Sequence, residues 1–327
     1  MLAWLLVVGA LPLGSAAAAV LALQTAAATL RISVMTANRL YEDGLYLGDY
    51  TDFMARAEQR LPQQRAPAPT GFTEIELRDV GLRYPGADTD AVSGVSLTLR
   101  RDETIALVGE NGSGKTSLAK VIAGLYRPTA GQIRWDGQSL DDVDPELLRE
   151  SVAVMIQDVW HWPFTARQNI TMGRHARDHR AEEVHAAAIA AEAHDMIQNL
   201  SRGYATLLDR AFVGGVELSG GQWQRIAGAR GFYRGAPLLI CDEPSAALDA
   251  RAEHALFSAL REKAAGRTVV LITHRLANVR HADRIYVMHE GRIVEHGTHD
   301  ELMAAPTRYA ELFTLQASGY LPRQRAG

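Results

Sequence analysis

The sequence predicts an α/β fold built on a buried parallel sheet and preceded by one or two membrane helices. Three observations carry that expectation. Pro237 to Cys241 and Thr268 to Ile272 are unbroken apolar runs, the pattern of strands covered on both faces. Thr104 to Val108 is a short apolar run that enters a glycine-rich turn, and a helical stretch follows through Ala123; strands alternating with helices indicate an α/β core. Residues 1–30 carry no charged side chain, Arg31 being the first.

From the N-terminus, Met1 to Leu13 is strongly apolar, Pro12 and Gly14 interrupt, and Ser15 to Leu30 is apolar and rich in alanine. About 20 apolar residues cross a bilayer as a helix, so a crossing is predicted from Gly14 to roughly Met35. Arg31 and Arg39 follow it, which by the positive-inside rule places the rest of the chain in the cytosol. A secretory signal peptide is the competing reading, with Ala16 to Ala19 imitating a cleavage site, but it lacks a basic start. A buried soluble hairpin is the other. Residues 1–36 are thus read as a membrane helix region. Residues 37–70 are read as a connecting helix, weakened or bent by Gly44 and Gly48, and a linker punctuated by Pro62, Pro67 and Pro69. Residues 71–320 form the third region.

In that region Phe72 to Arg78 and Val92 to Leu99 alternate apolar and polar residues, as half-buried strands do. Glu182 to Leu200 reads as an alanine-rich helix. The chain is 47% hydrophobic and 22% charged with a formal net charge of −4. That composition fits a globular core and exerts no pull toward nucleic acid, so no nucleic-acid partner is expected. The single cysteine, Cys241, excludes an internal disulfide and fits a reducing compartment.

Lysine is confined to Lys115, Lys120 and Lys263, so a lysine inside a motif is notable. Gly109-Glu110-Asn111-Gly112-Ser113-Gly114-Lys115-Thr116 matches the Walker A pattern between a predicted strand and a predicted helix. Glycines let the backbone fold into a cup whose N–H groups face phosphate oxygens, and the helix N-terminus adds a favourable dipole. Lys115 would neutralise the β- and γ-phosphates and Thr116 would offer its hydroxyl to Mg²⁺; Ser117 follows in the same helix start. Leu238 to Cys241 then runs into Asp242 and Glu243. Asp242 stands where a Mg²⁺-holding acid is needed, and Glu243 could polarise the attacking water as general base. Together these read as a RecA-like P-loop NTPase.

Leu218-Ser219-Gly220-Gly221-Gln222 is identical to the signature motif of ABC ATPases. Tyr84 resembles that family's adenine-stacking aromatic, Gln157 in Met155-Ile156-Gln157-Asp158 its Q-loop glutamine, Ser245 to Asp249 its D-loop, and His274 its switch histidine. The resemblance spans Phe72 to about Leu315. It implies an ABC ATPase core with an antiparallel β-subdomain and a helical subdomain. It further implies ATP and Mg²⁺ as ligands, with Thr116, Gln157 and Asp242 at the metal. A second ABC ATPase domain, in a homo- or heterodimer, would complete the site. Ser219, Gly220 and Gly221 would then reach the γ-phosphate across the pair, with Gln222 in the same nucleotide-binding set, and His274 would hold Glu243 and water in line.

An apolar helix and a helical connector ahead of the ATPase resemble the exporter branch of the family, as does Leu40 to Tyr50. This implies an ATPase powering export. Its partners would be an exporter membrane domain and the lipid of the inner (cytoplasmic) membrane, with the ATPase in the cytosol. Two features depart from that pattern. The chain begins part-way through the usual set of membrane helices, and Phe212-Val213-Gly214-Gly215 stands where a membrane-contacting acid is usual. A gene fragment, a misplaced start and half of a split transporter all fit, as does the alternative of a soluble, non-transport ABC ATPase.

Overall fold

The computed structural model describes residues 12–60, 71–156, 158–174, 180–263 and 266–320. The chain divides into two units, Met1–Gln63 and Gln64–Gly327. In the first, Leu13–Arg60 forms one helix, α1. The chain stays helical through Gly44 and Gly48, where a weakening was expected. Each glycine costs about 1 kcal/mol relative to alanine, which flanking turns of good helix formers can absorb. At 1.5 Å per residue the helix is roughly 70 Å long, more than twice the ~30 Å of a hydrocarbon core. Its segment Gly14–Ala57 is long and apolar enough to cross a membrane, by length and composition. The hydroxyls of Thr25, Thr29 and Thr36 donate to carbonyls four residues back, so these polar groups are satisfied within the helix itself. The Pro-rich stretch 61–70 lies outside the described residues.

The second unit opens with β1 (Glu74–Leu82), β2 (Val92–Arg100), β3 (Thr104–Val108), α2 (Lys115–Ile122), β4 (Ala130–Trp135) and β5 (Gln138–Ser139). Strands β2, β1, β4 and β5 pair antiparallel in that order. Next come α3 (Pro145–Glu150), β6 (Val152–Met155), α4 (Ala166–Thr171), α5 (Ala181–Ala190), α6 (His194–Gln198) and α7 (Gly220–Arg234). The unit ends with β7 (Leu238–Asp242), α8 (Ala250–Lys263), β8 (Thr268–Ile272), β9 (Arg284–His289), β10 (Arg292–Gly297), α9 (His299–Met303) and α10 (Arg308–Tyr320).

The second sheet runs β10-β9-β3-β8-β7-β6, parallel except for β10 at its edge. Both faces are covered, which explains the unbroken apolar runs. Ile105, Leu107, Leu238, Ile240, Val270 and Ile272 point into one core shared with the antiparallel sheet and α2. Ala106, Val108, Leu239, Cys241, Val269 and Leu271 point into the other, among the helices. The period of two along each strand divides its residues between two cores.

One expected element is divided. The Glu182 to Leu200 stretch is α5 and α6, separated by a turn in which Glu192 has φ 54°. The Ala193 N–H bonds to Ala188 O, and the reversal buries Ala191, Ala193 and Ile197. Burial of that second apolar face outweighs continued helix. Arg234, at the end of α7, ties several segments together. Its guanidinium donates to the carbonyls of Val152, Gly173 and Arg149.

Candidate functional site

The loop between β3 and α2 is shaped by positions that exclude a Cβ. At Gly109 a Cβ would lie 2.2 Å from the Met288 carbonyl oxygen, and at Gly114, with φ +98°, 2.4 Å from that of Ala91. Gly114 is the N-cap of α2, so the loop delivers Lys115 into the first turn. Lys115 is 7% exposed, and its Nζ donates to the carbonyls of Gly109 (2.9 Å) and Glu110 (2.8 Å) and to Ser113 Oγ (3.3 Å). Burial pushes its pKa below the usual lysine value, against the pull of Glu243 and Asp242.

A cleft of about 210 Å³ opens beside the loop. Asn111, Gly112, Gly114, Lys115, Thr116 and Ser117 line it from one side, Asp242 and Glu243 from the end of β7, and Ala91 and Ile272 complete it. Burial raises the Asp242 carboxyl above the usual range, opposed first by a hydrogen bond with the Thr116 hydroxyl and later by Lys115 and Lys120. One carboxylate and one hydroxyl at a cleft floor are hard oxygen donors. Such a set suits Mg²⁺, which takes one or two protein oxygens and leaves the rest to phosphate and water. Among the described residues no cluster of three or more His, Cys, Asp or Glu could hold a metal by itself.

Glu243 has φ 49°, a left-handed conformation that costs a non-glycine residue about 1 kcal/mol or more. Its surroundings hold it there. Its N–H donates to Ile272 O at 2.9 Å. Its Oε1 takes the His274 backbone N–H at 2.9 Å and lies 2.8 Å from His274 Nδ1, while Thr273 Oγ1 is 3.4 Å from Oε2. Tyr84 donates its hydroxyl to Ser117 Oγ at 3.1 Å and meets Tyr126 edge-on. The Glu110 side chain pairs with Arg308 at 3.0 Å.

Ser219, Gly220, Gly221 and Gln222 are not among the cleft-lining residues. Ser219 caps α7, accepting from the Gln222 N–H, while the Gln222 side chain accepts from the Ser219 N–H. Gly221 packs so closely that a Cβ would sit 2.7 Å from Ala247 O. Gln157 lies outside the described residues. Two side chains escaped the sequence reading. Buried Gln224 donates to Glu243 O (3.1 Å) and accepts from Ala247 N (2.7 Å), joining α7 to the acid pair. Glu253 accepts from Ser245 Oγ, Arg275 Nη1 and Asn278 Nδ2. Both join segments 8 to 25 residues apart in sequence, and no local pattern marks them.

A covered parallel sheet, a glycine loop feeding a helix with a buried lysine, and an acid pair facing that lysine define a P-loop nucleotide-binding protein. Residues 92–246 match the family described as ABC transporter. These residues carry that family's domain, and the unit that contains them has the ABC ATPase fold. It is 44% identical over 265 residues, 79% of this chain, to an ATP-dependent lipid A-core flippase of Thiobacillus denitrificans, covering 45% of that protein. It is 41% identical over 242 residues, 74% of this chain, to the putative multidrug export ATP-binding/permease protein YgaD of Bacillus subtilis, covering 41% of it. A bacterial Atm1-family ABC exporter, solved with ATP bound, superposes with TM-score 0.73 and 32% identity over 80% of this chain and 45% of that one. The chain thus spans less than half the length of these relatives.

Proposed function

We propose that the chain binds and hydrolyses ATP with Mg²⁺, as the nucleotide-binding part of an exporter in the inner membrane, with its ATPase unit (residues 71–320) in the cytosol. The observation that carries the reading is the Glu243 carboxylate, held by both the Nδ1 and the backbone N–H of His274 at the mouth of the Lys115 cleft. In this reading Lys115 and the loop N–H groups from Gly109 to Thr116 bind the phosphates, Tyr84 stacks on adenine, and Ser117 supports Tyr84. Thr116, Asp242 and Gln157 would hold Mg²⁺, which when bound neutralises charge on the phosphate oxygens. Glu243 takes the proton of the attacking water, and His274 orients Glu243 and reaches the terminal phosphate.

Placement of the signature residues outside the chain's own cleft favours a second ATPase domain that offers Ser219, Gly220, Gly221 and Gln222 in trans. Exposed Trp160, Trp162 and Phe164, stacked in series, favour an apolar partner such as an exporter membrane domain. The relatives' names favour export, and α1 offers the membrane contact.

Glu243→Gln tests the reading, since it keeps size and hydrogen-bonding reach but removes the base. Hydrolysis should fall about 10²- to 10⁴-fold with ATP affinity retained, and ATP with Mg²⁺ should hold two copies together in light scattering. Adding Ser219→Arg should abolish that pairing and spare ATP binding. Undiminished turnover in Glu243→Gln removes Glu243 as the base.

A further inference from the structure

Helix α10 lies beyond the stretch matched to the ABC transporter family. We propose that Gln316 on α10 is a positioning residue whose amide clamps the His274 loop and so aims the imidazole at Glu243. The proposal rests on the reading of Glu243 as general base.

The Gln316 side chain makes two hydrogen bonds to that loop. Nε2 donates to His274 O, and Oε1 accepts from Leu276 N at 2.9 Å. A primary amide supplies donor and acceptor on one planar group, which neither a carboxylate nor an ammonium can do. Leu276 opens the 3₁₀ turn Leu276–Asn278, so Gln316 satisfies an N–H that such a turn leaves without an internal partner. The backbone of His274 is therefore held on both sides of its Cα, by Glu243 at its N–H and by Gln316 at its C=O. The imidazole itself is 54% exposed, so packing leaves its direction to these bonds.

The clamp stands on a fixed base. At the start of α10 the Arg308 and Tyr309 N–H groups donate to the Glu295 carboxylate at 2.6 and 3.0 Å. Tyr309 is fully buried, its hydroxyl 2.8 Å from His299 Nδ1. Arg308 also reaches Glu110 of the phosphate loop. One helix thus touches the phosphate loop near one end and the His274 loop near the other.

The test uses the full chain in detergent, with Gln316→Leu and, as a second variant should leucine disturb folding, Gln316→Ala. Either should lower kcat about tenfold, the scale of a slightly misplaced catalytic group, with KM for ATP within about twofold. Placed on His274→Ala, the same change should cost less than about twofold, because the group it positions is gone. An equal loss in both backgrounds, or an unchanged kcat, overturns the proposal. Amide hydrogen exchange at Leu276 reads the clamp without turnover: it should quicken at least about tenfold in both variants, and unchanged exchange overturns the clamp itself. If Glu243→Gln and His274→Ala both hydrolyse ATP normally, the reading of the site falls, and the positioning role with it.

Discussion

The residues at the cleft are costly to the fold that holds them. Lys115 and Asp242 are ionisable side chains held in burial, and Glu243 sits at a left-handed φ. Burial raises the folded pKa of Asp242 above its unfolded value near 3.8, so the native state holds that proton to higher pH. Stability from this group is therefore lost as pH rises through the folded pKa, where the buried carboxyl gives up its proton. Asp242→Asn should raise the thermal midpoint of the nucleotide-free chain by a few degrees at pH 7.5. The gain should shrink as pH falls and the wild-type carboxyl takes up its proton. A lower midpoint in the variant at every pH would mean that the bond to Thr116 outweighs desolvation.

Among the elements, those with a self-contained signal were legible beforehand. β3 and β8 have the boundaries their apolar runs predict, and β7 is displaced by one residue. The short strands β4, β6, β9 and β10 were not foreseen: β4, β6 and β9 pair with strands distant in sequence, and β10 is an edge strand that follows β9 across a tight turn. β10 alternates exposed and half-buried residues at the edge of its sheet, whereas β9 is nearly all buried beside it. Beside the apolar core among the helices, Arg234 ties α7 to the carbonyls of Arg149, Val152 and Gly173, a link that no periodicity marks. Arg234→Ala would strand three carbonyls and should cost about 2–4 kcal/mol, read as a lower denaturant midpoint. Arg234→Lys, able to reach fewer of them, should fall between the two. A midpoint within about 0.5 kcal/mol of wild type would show that water replaces the guanidinium freely.

For the whole molecule, α1 and the ATPase unit present opposite surfaces. Leu21, Leu23, Leu30, Ile32 and Met35 stand more than 60% exposed along α1, the reverse of the second unit's two enclosed cores. The full chain should therefore sediment with membranes, and a version beginning at residue 71 should remain in the supernatant. A full-length chain that is monodisperse without detergent would set aside the membrane reading and favour a soluble ATPase.

The phosphate loop, the acid pair and the signature motif were readable from the sequence because each is a short run whose chemistry depends on adjacent residues. Covered strands were readable for a similar reason: a parallel sheet enclosed on both faces leaves a continuous apolar run. Tertiary structure alone decided which groups surround Glu243. Gln224 reaches it from α7, 19 residues away, and His274 from 31 residues away. Gln316 grips the His274 loop from 40 residues beyond Leu276. Hydrogen bonds between amides and carbonyls carry no compositional mark, since glutamines at these positions look the same on a solvated face. Only folding brings donor and acceptor within 3 Å of each other.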